Sequence, residues 1–387
     1  MSDDMQHSDT NWKERMPFYE PDTYPESRDV QSLDYFETLD EVWGEDWGAQ
    51  GIGELERVML PTITEDCYDD PAFREDPTWF VLDEGIPDAK KMQEEVHDQL
   101  EGILKNEGIT INHVKPSDWP EMYDEGKGYQ GPYGTIKNFW AVGEAWVVNG
   151  GAINTRSSMA PWRIGREKWF QKALSRIGCP IVHTVGHSGG ACMEVGQIVL
   201  DEEHILLPVG MGGNMEGVHE LKHTLERAGY REIIPVRLPG FKRTDRNPRE
   251  WLHQLHVSCV FGIADQGLAV YDPTSFPENL ATYLVEQKGM TLLEVPKEEA
   301  LDHGCNSIVL EPGKIITPAG NPTVRRKLEK HGVEVITVDM EEVKKAGGTA
   351  HCLIGRLVRD DGPLLRDMSN GPSDEQIEET PLVNTRV

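Results

Sequence analysis

Nowhere in these 387 residues do two cysteines stand as a CxxC pair. The six that exist, Cys67, Cys179, Cys192, Cys259, Cys305 and Cys352, are scattered, which excludes a disulfide framework and a zinc ribbon. Most read as small buried hydrophobes, so the question left is whether any one has neighbours that activate a thiolate. Basic residues are also scarce: 38 Lys and Arg stand against 67 Asp and Glu, a formal net charge of −29. A balance this negative repels phosphate backbones and anionic headgroups, so neither nucleic acid nor a membrane surface is expected as a partner. No apolar run approaches the roughly 20 residues of a membrane helix. The segment MSDDMQHSDTNWKERM has neither the basic nor the apolar region of a secretory signal. The expectation is a cytoplasmic protein whose partner is a small molecule, with 38% hydrophobic residues sufficient for a substantial core.

What is present divides into three stretches. Residues 1–48 mix acids with prolines and aromatics such as Phe18, Tyr35, Trp43 and Trp47, without a sustained period. They read as an arm that packs on the body or on a partner subunit, which would make the protein a homo-oligomer. Residues 367–387 are polar and read as a disordered tail. Between them, residues 49–366 read as one catalytic domain in which strand-like and helix-like segments alternate. Strand signals fall at Gly51–Thr62, Ile109–Val114, Ile181–Val185, His204–Val209, Ile233–Leu238, Val257–Ala264, Leu268–Tyr271, Ser307–Leu310, Lys314–Thr317, Val333–Val338 and Cys352–Val358. Helical periodicity appears at Met92–Leu104, Arg166–Arg176, Met215–Ala228, Asn279–Gln287 and Thr323–His331, several closed by glycine. A doubly wound sheet has about one strand per helix, whereas here two or three lie between helices. The fold class is α/β, and a ring of small ββαβ units fits better, although no exact sequence repeat is visible.

Three segments carry chemistry. In Ala346-Gly347-Gly348-Thr349-Ala350-His351-Cys352, glycines leave the backbone and thiol uncrowded. In Leu255-His256-Val257-Ser258-Cys259, strand alternation puts His256 and Ser258 on one face, where a histidine is ordinarily a satisfied core residue. In Met193-Glu194-Val195-Gly196-Gln197, a carboxylate beside glycine can sit inside a site and orient an imidazole.

The order and spacing of these segments, from about Gly51 to Pro363, resemble the arginine deiminase and amidinotransferase superfamily of guanidino-group-modifying enzymes. Gly51–Pro61 looks like the family's first strand, and Asn138–Trp146, containing Glu144, stands at its aromatic Arg-Asp segment. Glu194–Gln197 stands at its Glu-Gly-Gly-Asp motif, His256–Ser258 at His-hydrophobic-Asp, and Gly347–Cys352 at the glycine-rich nucleophile motif. The resemblance implies a five-fold pseudosymmetric α/β propeller. It implies Cys352 as nucleophile, His256 as general acid and base and Glu194 as the carboxylate that orients it, with no metal or other cofactor. Residue chemistry gives the same roles: a thiolate attacks a planar carbon between nitrogens, and the imidazole moves protons for the leaving group and then for water.

Departures from the family pattern bear on the substrate. Ser258 and Gln197 stand where guanidine enzymes place aspartates, and Glu144 occupies the position of a third acid. Loss of two charge-assisted hydrogen bonds, typically about 1.5–3 kcal/mol each, disfavours a guanidinium. A neutral ring or amidine could still present its N–C–N carbon. One branch of the superfamily, the 2-nitroimidazole nitrohydrolases, is similar in its Trp-Gly-x-x-Trp-Gly stretch, here Trp43–Gly48, and in it nitrite leaves in place of an amine. Amidinotransferase or arginine and agmatine deiminase chemistry, and a noncatalytic relative, remain the alternatives. His219-Glu220-Leu221-Lys222-His223 also fits the H-E-x-x-H zinc-hydrolase pattern, but its histidines flank the apolar stripe of a surface helix and no third histidine follows. His183, His187 and Cys192 form a loose cluster broken by glycines, which reads as a loop.

Overall fold

The chain is described from a computed structural model covering residues 35–64, 86–115, 123–124, 128–131, 134–135, 143, 145–157, 163–186, 189–239 and 253–365. Its contacts group into two units, Met1–Glu45 and Asp46–Val387. In the first, a short helix Leu39–Trp43 is closed by Gly44, whose left-handed φ of 79° lets its N–H reach the Asp40 carbonyl at 2.6 Å.

The second unit repeats one plan five times among the described residues. A β-hairpin is followed by a helix, and the helix returns the chain to a strand parallel to the hairpin's outer arm. Trp146–Val148, Gly151–Asn154 and Ile181–Thr184 form one such sheet around the helix Arg166–Arg176. Ile198–Val199, His204–Val209 and Glu232–Arg237 form the next around Met215–Ala228. Phe261–Asp265, Leu268–Tyr271 and Thr291–Glu294 enclose Glu278–Glu286, and Ile308–Glu311, Lys314–Pro318 and Glu334–Val338 enclose Pro322–Lys330. The fifth sheet joins the chain's ends: Leu55–Pro61 runs parallel to Thr110–Val114 and antiparallel to Gly355–Arg359. This is the α/β class with several strands per helix that the sequence suggests. The hairpins at Trp146–Asn154 and the strands Ile198–Val199 and Thr291–Glu294 had no signal there, being too short for alternation to register.

Local causes for these elements are readable. In Met215–Ala228, Val218, Leu221, Leu225 and Ala228 are buried at spacings of three and four, Asn214 accepts the Gly217 N–H at 2.8 Å, and Gly229 ends the helix at φ 119°. Met92, Val96, Leu100 and Leu104 recur every four residues and all are buried. At 3.6 residues per turn, each such step drifts about 40° around an α-helix. The observed helix widens to a π-helix over Glu94–Leu100, between α-helical Ala89–Gln93 and Glu101–Asn106, which keeps the four side chains on one face.

Two strand readings are corrected. Val257–Ala264 begins with a helical turn, Val257–Val260, before the strand Phe261–Asp265, and Cys352–Val358 has its cysteine in the turn Ala350–Leu353, ahead of Gly355–Arg359. Their apolar, β-branched composition matches a strand, but burial at the head of an inner strand selects for the same residues. His256 and Ser258 are therefore not alternate residues of one strand face.

One edge strand of each sheet lies innermost. Trp146–Val148 lies against Gly355–Arg359, and Phe261–Asp265 lies between Ile198–Val199 and Ile308–Glu311. The seam between first and last strands has no spare room. A Cβ on Gly53 would stand 2.1 Å from the Asp360 carbonyl oxygen, whereas one on Gly102, within a helix, meets nothing within 4 Å. Gly53→Ala should destabilise the protein by about 1–3 kcal/mol through overpacking, and Gly102→Ala should stabilise it by about 0.5–1 kcal/mol. Chemical denaturation of both variants beside the wild type measures the two opposite signs.

Candidate active site

Five of the singled-out side chains occupy the same place in three of the sheets: just ahead of an inner strand. Glu194 and Gln197 precede Ile198–Val199, His256 and Ser258 precede Phe261–Asp265, and Cys352 precedes Gly355–Arg359. The sheet between the last two contributes Asn306 ahead of Ile308–Glu311. Inner strands packed side by side bring their leading ends together, so residues far apart in sequence share one site.

Glu194 is the centre of it, at 2% exposure. Its Oε2 accepts from Arg163 Nη1 at 2.6 Å and pairs with His256 Nε2 at 3.2 Å, while Oε1 accepts from the Ser157 hydroxyl. Burial alone would raise this carboxyl, but the Arg163 guanidinium, then His256 and the Ser157 hydroxyl, outweigh it and hold it down to about 2. An ionised carboxylate only accepts, so His256 donates from Nε2, and in the neutral ring Nδ1 carries the lone pair.

His256 starts the turn Val257–Val260 with extended backbone angles. The segment before it is anchored by His253 Nε2 to Asp272 Oδ2 at 2.7 Å and by Gln254 Nε2 to the Ser275 hydroxyl at 3.1 Å. Its ring packs on glycine: a Cβ at Gly196, φ 153°, would lie 2.4 Å from His256 Cβ, and one at Gly212 would lie 2.9 Å from His256 Cδ2. Only a bare backbone at these positions leaves room for the imidazole.

Cys352 is half-buried, its Sγ 3.6 Å from Asn306 Oδ1. The same oxygen accepts from the Thr349 hydroxyl, while Asn306 Nδ2 donates to the Ser258 carbonyl at 3.0 Å. Asn306 thus ties the cysteine turn to the histidine turn. Cys259, nearby, is inert by comparison: burial, then the neighbouring Cys352 sulfur, push its thiol up to about 12.

Ser258 and Gln197 are both buried beside these groups. The Ser258 N–H donates to the Gly196 carbonyl at 3.2 Å, and Gln197 Oε1 accepts from the Gly196 N–H at 3.0 Å. Among the described residues, the Ser258 hydroxyl and the Gln197 amide NH₂ have no partner. Glu144 lies outside the described residues, although Gly143 beside it is packed so closely that a Cβ there would be 2.1 Å from the His351 carbonyl oxygen.

The other sequence motifs are placed elsewhere. His219 and His223 are exposed on Met215–Ala228, and Glu220 between them accepts from the Gly186 N–H at 2.8 Å and pairs with His183 at 3.2 Å. His187 lies outside the described residues. Among those described, no group of three or more His, Cys, Asp or Glu could hold a metal ion, and no helix is long and apolar enough to cross a membrane. Sequence reasoning missed Arg163, Ser157 and Asn306. Only Asn306, directly ahead of the strand signal Ser307–Leu310, stood in a position that the other site residues mark.

A cysteine-bearing turn, a hydrogen-bonded imidazole and a buried carboxylate thus stand together at the converging ends of repeated α/β units. The arginine deiminase family model matches residues 250–359, which include His256, Asn306 and Cys352. This match and the likenesses that follow support the arginine deiminase superfamily and a hydrolase acting on C–N bonds other than peptide bonds. Among individual proteins, the 2-nitroimidazole nitrohydrolase of Mycobacterium sp. (strain JS330) is 27% identical over 365 residues, covering 90% of this chain and 91% of that protein. The N(G),N(G)-dimethylarginine dimethylaminohydrolase of Pseudomonas aeruginosa is 26% identical over 202 residues, 52% of this chain and 69% of that one. In fold, the chain is similar to a dimethylarginine dimethylaminohydrolase solved as an adduct with S-methyl-L-thiocitrulline (TM-score 0.58, 20% identity, 78% of this chain and 99% of that one). It is also similar to the N-terminal domain of an arginine dihydrolase from Cyanobacteria (TM-score 0.59, 18% identity, 80% and 100%).

The depressed Glu194 carboxyl makes stability depend on acid. Its folded pKa, about 2, lies below the ordinary 4.5, so its contribution is complete above about pH 4.5 and is lost as pH falls towards 2. Glu194→Gln also removes the ion pair between this position and Arg163. The variant should be less stable than wild type at pH 7, and the gap should narrow steadily between about pH 4.5 and 2, measured by urea unfolding across that range.

Proposed function

We propose that the chain is a cysteine-dependent hydrolase that attacks the planar carbon of an N–C–N unit through a covalent adduct on Cys352, and that its substrate is a neutral 2-substituted imidazole of the 2-nitroimidazole kind. The observation that carries this reading is the ionised Glu194 fixing His256 through Nε2, with Cys352 held by Asn306 on the adjoining turn. Support for the substrate class comes from Ser258 and Gln197, neutral donors and acceptors where guanidine enzymes have acids. It also comes from similarity to the 2-nitroimidazole nitrohydrolase along 91% of that protein's length. The five repeated sheets, with inner strands in contact, we read as the blades of a five-fold pseudosymmetric α/β propeller.

In this mechanism the Cys352 thiolate adds to C2 of the ring, forming a C–S bond. The C2–nitro bond then breaks with its electron pair, and nitrite, a weak base, departs without a proton. Water attacks C2 of the adduct while His256 takes its proton, and the C–S bond breaks to return the pair to sulfur. The products are nitrite and the 2-hydroxy ring, with one water consumed. For an amine or ammonia leaving group, the His256 imidazolium supplies the proton in the first step, and an amine in place of water at the second step would give amidino transfer. Glu194 keeps Nε2 engaged so that Nδ1 does the proton work. Ser258 and Gln197 hydrogen-bond the ring nitrogens, and the place of Glu144 in the pocket follows from the superfamily resemblance.

The arginine deiminase and dimethylaminohydrolase relatives favour a second reading in which the substrate is a guanidine. A panel of guanidines, amidines and 2-substituted imidazoles, scored separately for ammonia, amine and nitrite, decides between them. Nitrite release from a 2-nitroimidazole, with little turnover of arginine or agmatine, is the expected result. Preference for a guanidine over every neutral compound would overturn the substrate assignment. Cys352→Ala should lower kcat at least a thousandfold without changing thermal unfolding, and His256→Ala should be nearly as damaging. Activity above a tenth of wild type in Cys352→Ala would rule out the covalent route.

Ser258→Asp with Gln197→Asp restores two acids to the pocket. An unpaired buried carboxylate costs several kcal/mol, so the double variant should bind a cationic guanidine at least tenfold more tightly and process a neutral imidazole at least tenfold more slowly. kcat/KM for both substrates on both proteins gives the test.

A further inference from the structure

Beyond the reactive cysteine, the turn Ala350–Leu353 and the strand Gly355–Arg359 lead into a cavity of about 30 Å³ among the inner strands, enough for on the order of two waters or one small ion. His351, Arg356, Arg359 and Ser307 line it, and Ile198, Ile263 and Ile308 supply apolar wall. Its charge is one-sided. Arg359 donates to the Gly53 carbonyl and, at 2.7 Å, to the Val309 carbonyl. Arg356 Nη1 lies 3.2 Å from His351 Nε2. A guanidinium only donates, so that imidazole nitrogen must accept, and His351 is neutral. Burial, then the charges of Arg356 and His256, hold its pKa well below the ordinary value, in agreement with the geometry.

Every acceptor on these two guanidinia is therefore neutral. Among the described residues no carboxylate comes within ion-pair distance of either, in a chain that carries 67 acids. Ser307 adds a second signal: it is 6% exposed, and its hydroxyl is buried with no partner among the described residues. Two cations and an unused hydroxyl around a small, apolar-walled space are what an anion needs, because charge attraction is strongest where water is excluded.

We propose that this cavity is a binding site for one small monovalent anion, a halide or a compact oxyanion such as nitrite, held by Arg356, Arg359 and Ser307. Size and charge both select: a divalent tetrahedral anion exceeds the space, and a neutral molecule leaves the guanidinia uncompensated. Two sources can fill it, chloride from the medium and the oxyanion released at Cys352. Occupancy from either would put a negative charge beside the Arg356 that faces the cysteine turn.

The test is thermal unfolding and calorimetric titration of the full chain with sodium nitrite, sodium chloride and sodium sulfate at matched ionic strength. Nitrite or chloride should give a saturable rise in Tm with one site per chain, and sulfate none. The tighter of the two identifies the source: nitrite the reaction product, chloride the medium. Arg356→Met should weaken the binding at least tenfold. Ser307→Ala, which removes a single oxygen, should weaken it at least threefold, and it serves as the decisive variant if Arg356→Met does not fold. Cys352→Ala should bind the anion as wild type does while losing turnover, so this inference and the proposed reaction can fail independently. A non-saturable response shared with sulfate, or unchanged affinity in Ser307→Ala, would overturn the site.

Discussion

A carboxylate at 2% exposure that nonetheless stays ionised is the constraint around which this site is arranged. An isolated buried charge costs several kcal/mol, so Glu194 requires its partners to be in place before it can be charged. Arg163 supplies the opposite charge, Ser157 a hydroxyl, and His256 a ring N–H. Those partners come from the segment after one hairpin and the start of another sheet's inner strand. Glu194 itself stands ahead of the inner strand of a third sheet, so its full set of partners is complete only when all three sheets have docked, and the geometry of His256 is a consequence of tertiary packing.

The glycines next to it follow from the same requirement. With the imidazole fixed at one end by Glu194, its ring must lie over the backbone of Gly196 and Gly212, where a side chain would collide. On the other side Asn306 joins the turn that carries Ser258 to the turn that carries Cys352 through its two amide atoms. Cys352 and His256 are positioned by backbone approach and one shared amide rather than by a direct hydrogen bond between them.

How much of this was legible in the sequence depends on how local its cause is. The helices Arg166–Arg176 and Met215–Ala228 were readable to the residue, because periodicity, caps and closing glycines all lie within the segment. Motif order singled out Glu194, His256 and Cys352, which the fold brings into one neighbourhood. The conformation of their carriers was not legible, since LHVSCVF has the composition of a strand and the turn at Val257–Val260 is set by what Phe261–Asp265 packs against. Arg163 and Ser157 have no local pattern at all. Asn306 could have been found from the repeat, had the repeat been visible. It survives in topology rather than in residue identity, because each inner strand needs only to be short, apolar and preceded by a turn.

Among the described residues, local charge around Cys352 runs opposite to the charge of the whole chain, and this bears on chemistry more than the net −29 does. Glu194 is neutralised by Arg163, Ser258 and Gln197 add no negative charge, and Arg356 stands close enough to feel the sulfur of Cys352, which opposes the lowering of its own pKa by burial to about 10. Electrostatics at short range in a dry site outweigh distant surface acids, which water and salt screen beyond about 8–10 Å. A field of this sign accommodates negative charge better than positive charge. An enzyme that must grip a cation needs the reverse distribution. Among the described residues, the neutral Ser258 and Gln197 and the buried arginines below the cysteine then act in one direction: neither set brings negative charge to the place where Cys352 stands.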